Sequence, residues 1–572
     1  MITMHDNWEE VFDGPARADV EGLLPAFLAS SRWFGGKAKT IRCAKFTDIL
    51  RVDRGEAPMW LGFVEVSYAE GGVETYQVPM TAAFEAEADR ITRDHASAVI
   101  GAVIVIGPKG KHVGVLYDAL WNEGCAYSLL ASMGQRAQYQ GSSGTVMGSA
   151  TTLFDWSTVQ REFSPVSVMK AEQSNTSVRF GDRVIMKLYR RVEPGLNPEL
   201  EIGRALTSRN FRHSPSLVGA LEYHHARNEP TTLALAQTFI ANQGNAWEYT
   251  LSQLSRYFDS VSSADRKRTS IEAITIAKSH GPSATTDLFF GFVDTAHLLG
   301  CRTGELHMVL GEGSLDPAFA PERCSSTYVE SRVQAMQRAA ICALTLLDSR
   351  LSALTDADQA QARRVLEQER AILDRVGALN GAPLTAMRIR CHGDYHLGQV
   401  LYTGQDFVII DYEGEPARPL AERRAKHIPI VDLAGMIRSF HYAAHAALRQ
   451  RHEPQPIERG TQSLIAWAEQ WYQTARTAFL RGYHAIAGEA PFSPRSQQEF
   501  HLLLDVHLLD KALYELTYEL NNRPDWVALP LSGILQCVDS PPPTSDREGW
   551  AEREEDAGGS CATEQPRDEV NQ

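Results

Sequence analysis

The residues whose types and spacing could do chemistry lie between Cys391 and Glu415, in CHGDYHLGQVLYTGQDFVIIDYEGE. Asp394 follows His392 and Gly393, and Gln399 stands five positions further on. Val400-Leu401-Tyr402 and Phe407 to Ile410 read as two short apolar strands. Thr403-Gly404-Gln405-Asp406 turns between them, so a hairpin is expected. It returns Asp411 to the side of Asp394 and Gln399. An acid, an amide and a second acid in this layout are what phosphoryl transfer needs. Asp394 is suited to accept the proton of an attacking hydroxyl. Gln399 and Asp411 offer the hard oxygens that Mg²⁺ prefers. A lone Asp at a strand end is often only a turn cap; three such groups across one hairpin are harder to reach by chance. His392 and His396 do not read as a metal pair, because the stretch is a loop and no third ligand stands beside them.

Other elements must bring phosphate to these groups. Val166 to Glu172, Ser177 to Phe180 and Val184 to Tyr189 read as strands, with Gln173-Ser174-Asn175-Thr176 as a polar turn. Lys187 sits inside the third strand. A lysine there, behind a polar hairpin turn, is the layout of a kinase small lobe: turn N–H groups cover the phosphates and the lysine reaches them. The plain alternative is an edge-strand lysine that blunts pairing. Asn197 and Pro198 start a helix. Its acid would hold Lys187; Glu201 is the first choice and Glu199 the second, since sequence does not fix the helix rotation.

Thr231 to Phe239 is a further strand, and Asn242-Gln243-Gly244-Asn245 reads as a hinge. Beyond it Trp247 to Tyr257, Leu288 to Leu310, Val329 to Leu351 and Thr355 to Leu379 read as helices, as do Asp432 to Leu448, Thr461 to Ala487 and Gln497 to Asn521. The last of these pairs Tyr514 with Tyr518 and Glu515 with Glu519 at i, i+4, so each pair shares a face. Such a face suits a sugar, whose C–H faces stack on rings and whose hydroxyls find acceptors. It equally suits two tyrosines packed into a core.

At 572 residues the chain exceeds one ordinary core, and its net charge of −15 disfavours nucleic acid or an anionic membrane as a main partner. Eight scattered cysteines form no C-x-x-C pair, which argues for reduced thiols and a cytoplasmic home. No apolar run is long enough to span a membrane, and residues 1–20 carry no apolar signal core. Residues 17–95 read as a small α+β unit with strands at Ile41 to Val52, Met59 to Tyr68 and Val73 to Met80. Trp33 within it is either a core anchor or a recognition element. Gly107-Pro108-Lys109-Gly110-Lys111 is no Walker loop, because Val105 and His112 stand where Gly and Ser/Thr are required.

Together these stretches resemble the maltokinase family, within the aminoglycoside-phosphotransferase-like branch of the protein-kinase fold. The resemblance rests on Ser31 to Lys37, Glu172 to Ser177, Asn197 to Glu201, His392 to Gln399 and Asp411 to Pro419, with Tyr514 to Leu520 and Asn522 to Trp526. It implies an α+β, bilobal protein-kinase-like fold with an N-terminal cap (1–98), an intermediate subdomain completing a β-rich small lobe (99–243) and a helical large lobe with the catalytic hairpin (244–535). An acidic, disordered tail follows (536–572). It also implies ATP-dependent phosphorylation of maltose at its anomeric hydroxyl, by a monomer or homodimer. In that reading Asp394 is the base, and Gln399 and Asp411 hold Mg²⁺. Lys187, Glu201, Ser174, Asn175 and Thr176 serve ATP, and Tyr514, Glu515, Tyr518, Glu519 and Trp526 serve the sugar. A kinase for another sugar or amino sugar, and a silent binding module of the same fold, are the alternatives.

Overall fold

The computed structural model describes residues 2–5, 7–12, 14–52, 58–108, 110–153, 165–169, 174–225, 229–265, 284–313, 316–451 and 464–539. Lys109, Lys170 to Gln173, the segment 266–283 and the acidic tail from residue 540 lie outside them. The chain divides into two compact units. The first takes the described residues of Met1–Phe292, Glu305–Pro321 and Ile389–Glu469; the second takes Val293–Gly304, Glu322–Arg388 and the described residues from Gln470 on.

Two seven-stranded sheets lie in the first unit. Strands β1 (Ile2–His5), β2 (Ile41–Val52), β3 (Met59–Tyr68), β4 (Val73–Phe84), β5 (Val99–Gly107) and β6 (Gly110–Asp118) run in the order β1-β5-β6-β4-β3-β2. The helix Gly14–Ser30 packs on β2 and β5. Alternation of apolar and polar residues sets the strand faces: in β2, Ala44, Phe46, Leu50 and Val52 are buried. The sheet runs through residue 118, so the boundary expected after residue 98 falls inside it. Val99 to Ile106 is a sheet strand, as its apolar run suggests, but it pairs with β1 and β6 rather than starting a new subdomain.

The second sheet contains β7 (Gln138–Gln140), β8 (Gly144–Ala150), β9 (Val166–Val168), β10 (Asn175–Phe180), β11 (Val184–Tyr189), β13 (Leu217–His225) and β14 (Thr231–Thr238), in the order β7-β8-β13-β14-β11-β10-β9. The chain leaves it after β11 and lends β12 (Arg191–Val192) to β4 of the first sheet. Arg190 is the residue at that crossing, and its side chain is 1% exposed. Its guanidinium meets Asp118 Oδ2 at 2.5 Å, donates to Thr176 Oγ1 at 2.8 Å and lies 4.6 Å from the centroid of the Trp33 ring. Trp33 also packs on Phe27 and Tyr76, so of its two readings the structure bears out the core anchor.

Strands β17 (Val400–Tyr402) and β18 (Phe407–Ile409) form the expected hairpin, with Val400 opposite Ile409 and Tyr402 opposite Phe407. It belongs to the first unit for a physical reason. The expected hinge pairs with it: Gln243 N donates to Tyr402 O at 2.8 Å, and Tyr402 N donates to Gly244 O at 3.0 Å. The region 244–535 therefore does not form one separate body.

The second unit is mostly helical. Ser326–Arg350, Asp356–Glu367, Glu369–Gly377, Gln497–Asn522 and Ala528–Asp539 pack on one another. A short pairing of β15 (Glu322–Arg323) with β16 (Met387–Arg388) closes it. Thr355 to Leu379 is two helices, broken at Gln368, rather than one. Ser325 and Ser496 cap two of the helices, accepting from Tyr328 N and Glu499 N. Among the described residues no helix is long and apolar enough to cross a membrane.

The Arg190–Asp118 pair gives a stability test. Asp118→Ala would leave a buried guanidinium without its carboxylate, and should destabilise the protein by about 3–5 kcal/mol. Denaturant unfolding of the variant checks this; a loss within about 0.5 kcal/mol, the scale of an ordinary surface change, would show that the pair does not hold the two sheets together.

Candidate functional site

Lys187 points from β11 into a group of three carboxylates. Its Nζ lies 2.9 Å from Glu199 Oε2, 2.6 Å from Asp411 Oδ1 and 2.6 Å from Glu413 Oε1. The helix Pro198–Ser208 supplies Glu199, and Asn197 caps it by accepting from Glu199 N at 2.8 Å. The cap fixes the rotation that the sequence left open. Glu199 therefore faces Lys187, and the first choice, Glu201, is corrected: two residues on, it points elsewhere and pairs with Arg390 and, at 3.3 Å, with Arg424.

Burial alone would lower the Lys187 pKa, but Asp411, Glu199 and Glu413 outweigh it and hold the ammonium well above its ordinary value. One ammonium does not neutralise three acids. Glu199, the most deeply buried of them, is pushed up to about 7 by burial, against the pull of Lys187. Asp411 also feels burial, yet Lys187 and the Gln399 amide keep its carboxyl below the usual range.

The hairpin brings Gln399 and Asp411 together as expected. Gln399 Nε2 donates to Asp411 Oδ2 at 2.8 Å, which leaves its amide oxygen as the donor for a cation. Asp411 has a φ of +66°, a left-handed conformation that costs a non-glycine residue energy and is held by the surrounding contacts. Glu413 was not chosen from the sequence. Its signal was its place two residues beyond Asp411, where it accepts from Asn175 Nδ2 at 2.7 Å and shares Lys187. Glu199, Asp411 and Glu413 offer oxygens within 4.8 Å of one another. An all-oxygen, carboxylate-rich set fits magnesium.

Of the polar turn, Ser174 is exposed, whereas Asn175 and Thr176 are buried. The Thr176 hydroxyl accepts from Arg190. Gln173 lies outside the described residues.

Asp394 is held in its loop from behind. Asp432, 1% exposed at the start of the helix Ile430–Gln450, accepts from His392 N at 2.8 Å and from Gly393 N at 2.9 Å, and meets His307 Nε2 at 2.9 Å. Burial would raise the Asp432 pKa, but the hydrogen bond and charge of His307, with His392 and the Gly393 N–H, bring it below the ordinary aspartate value. Gly435 lets this helix lie against the loop, since a Cβ there would stand 2.5 Å from the Tyr395 carbonyl oxygen. His392 turns its Nε2 to Ile410 O at 2.9 Å, tying the loop to the far end of the hairpin. It is thus a positioning group. His396 accepts from Gly398 N through Nδ1 and keeps Nε2 3.9 Å from Asp394 Oδ2.

The five residues expected to hold sugar all belong to the second unit. Tyr518 is 45% exposed, which is not the state of a core tyrosine, and Tyr514, Glu515 and Trp526 are half-buried. Glu519 departs from expectation. It is 1% exposed and holds Arg523 through two contacts of 2.6 and 2.9 Å. That guanidinium lies 5.4 Å from the Tyr518 ring centroid and 5.3 Å from the Trp526 ring centroid. Glu519 thus positions a cation near two rings instead of sharing an open face with Glu515.

The maltokinase N-terminal cap domain matches residues 27–121. In that N-terminal stretch the chain resembles maltokinases. It is 24% identical over 423 residues to a glucosamine kinase of Mycolicibacterium smegmatis, covering 73% of this chain and 88% of that one. A glucosamine kinase of Streptacidiphilus jiangxiensis is 22% identical over 368 residues, covering 63% and 70%. A solved glucosamine kinase in complex with glucosamine, ADP and inorganic phosphate superposes with a TM-score of 0.57 at 18% identity, over 93% of this chain and 99% of that one. Another crystal form of glucosamine kinase gives 0.60 at 17%, over 93% and 100%. The fold is therefore α+β and kinase-like, with an N-terminal cap, a β-rich part and a helical part.

Asp432 makes a prediction with a pH sign. Its lowered carboxyl pKa means that its stabilisation is present above the ordinary aspartate value of about 3.9 and is lost as pH falls through the lower folded value. Asp432→Ala should cost about 3–5 kcal/mol at pH 7. The gap from wild type should narrow below about pH 4. Denaturant titrations at pH 7 and in acid check both; a gap that widens in acid would overturn the assignment.

Proposed function

We propose that the chain is an ATP-dependent sugar kinase. The carrying observation is Lys187 bound at 2.6 to 2.9 Å to Glu199, Asp411 and Glu413. Lysine, helix acid and hairpin-end acid are the parts that kinases use to hold a nucleotide's phosphates. Lys187 neutralises phosphate charge, and Glu199 orients it. Asp411, Glu413 and the Gln399 amide oxygen hold magnesium, which when bound offsets the charge of the phosphates. Asp394 accepts the proton of the attacking sugar hydroxyl. Ser174, exposed at the turn, and Asn175 serve the phosphates, and Glu201 keeps Arg390 and Arg424 in place behind them.

Two acceptors divide this reading. Maltose, phosphorylated at its anomeric hydroxyl, is favoured by the cap domain and by the motifs of the maltokinase family. Glucosamine is favoured by relatives named for it over most of the chain. In both cases the sugar rests on Tyr514, Glu515, Tyr518 and Trp526, with Glu519 acting through Arg523. ATP consumption measured with maltose, glucosamine and a panel of other sugars decides between them. No consumption with any sugar would leave a silent binding module of this fold.

Two variants test the roles. Asp394→Asn should fold normally and lose about 10²–10⁴-fold in turnover, the usual contribution of a general base; wild-type turnover would falsify the assignment. Tyr518→Ala should raise KM for the accepted sugar while leaving KM for ATP and the thermal midpoint nearly unchanged. A tyrosine with a packing role would instead lower stability by roughly 3–5 kcal/mol and leave the sugar KM alone.

A further inference from the structure

An ammonium has three N–H donors. In Lys187 they face three carboxylates: Glu199 at 2.9 Å, Asp411 at 2.6 Å and Glu413 at 2.6 Å. A phosphate oxygen approaching this lysine must displace one of them. Those same carboxylates have oxygens within 4.8 Å of one another, close enough to share a cation. The lysine now satisfies what a divalent ion would satisfy, and two cations there would repel each other.

The three acids differ in how firmly they are held. Glu199 is buried at 2% side-chain exposure and also accepts from Tyr189 Oη at 2.7 Å. Asp411 is fixed by Gln399 at 2.8 Å. Glu413 has an arginine nearby as a second cation, with Arg423 Nη1 3.8 Å from its Oε2. It can release the lysine without being left unpaired. It also accepts from Asn175 at the start of β10, the strand that follows the polar turn.

Resting on the kinase reading above, we infer that Lys187 holds the metal's place in the nucleotide-free protein, and that Glu413 is the exchangeable latch that keeps it there. Nucleotide phosphate draws Lys187 off Glu413. Glu413 turns to Arg423 and the cation, and its hold on Asn175 is released in the same step. Metal entry is thereby made conditional on nucleotide, and Glu413 opposes phosphate binding until metal arrives.

The first test is ADP binding in EDTA by wild type and by Glu413→Gln, a near-isosteric change. The variant should bind metal-free ADP roughly tenfold more tightly, the scale of one charge-assisted hydrogen bond that no longer has to be broken. Equal or weaker binding overturns the latch. The second is Mn²⁺ binding without nucleotide, followed by electron paramagnetic resonance. Wild type should bind no ion at the site, Lys187→Met should gain one, and Lys187→Met with Glu413→Gln should lose it again. Wild-type Mn²⁺ binding as tight as that of Lys187→Met overturns the inference. Should Lys187→Met not fold, the ADP comparison decides. Absence of ADP binding by every form would instead refute the nucleotide reading, and the Mn²⁺ series would still decide the role of Lys187.

Discussion

The first unit depends on one electrostatic constraint: a single buried ammonium faces three carboxylates. Burying uncompensated charge is expensive, so this arrangement persists only because other elements hold each acid in place. The Asn197 cap sets Glu199, the Gln399 amide sets Asp411, and Asn175 with Arg423 sets Glu413. Two of those acids come from a loop that enters a left-handed conformation at Asp411. One ammonium leaves an excess of negative charge, which on the proposed kinase reading a metal offsets once the nucleotide's phosphate has drawn Lys187 away.

A second constraint acts behind the loop. His392, Gly393 and His307 converge on Asp432, and Gly435 removes the side chain that would push the helix off the Tyr395 carbonyl. These contacts fix the backbone on both sides of Asp394 without touching its carboxylate. The proposed general base must sit within hydrogen-bond reach of a hydroxyl, and on that reading the anchoring of this backbone serves the chemistry as directly as the acid itself. Asp432 lies nearly forty residues along the chain, on a helix whose apolar periodicity gives no hint of the contact. Its role is tertiary and could not be read locally.

What was legible follows from which forces are local. Strand alternation located β2 and β3, an apolar run located β11, and turn chemistry located the hairpin that pairs Val400 with Ile409. Gln399, Asp411 and Lys187, singled out by their spacing, do come together in the structure, while Asp394 as base remains part of the proposal. The choice of Glu201 over Glu199 failed because helix rotation is set by the Asn197 side chain and by packing, and both candidates lie on the first turn. The boundary after residue 98 failed because β5 finds its partners in strands far away in sequence. Thr176 looked like part of a phosphate loop. A buried arginine fourteen residues away had already taken its hydroxyl.

The acceptor side obeys different physics. Phosphate machinery is recognised by charge, and charge leaves clear marks in sequence. Sugar recognition rests on ring faces and neutral hydroxyls, and a tyrosine at a given helix position reads the same in a core as on a surface. The structure separates these cases at Tyr518, which is exposed, and at Glu519, which is not. By holding Arg523, Glu519 converts a carboxylate into a buried brace for a guanidinium lying near two aromatic rings. A cation in that position adds charged hydrogen-bond donors to a face that also carries tyrosine hydroxyls, an indole N–H and the Glu515 carboxylate. An acceptor with neutral hydroxyls meets donors and ring faces there without penalty. An acceptor that brings its own positive charge must find a carboxylate to offset Arg523. On the proposed reading of this face as the sugar site, the balance between that guanidinium and the carboxylates around it decides between a neutral sugar and an amino sugar.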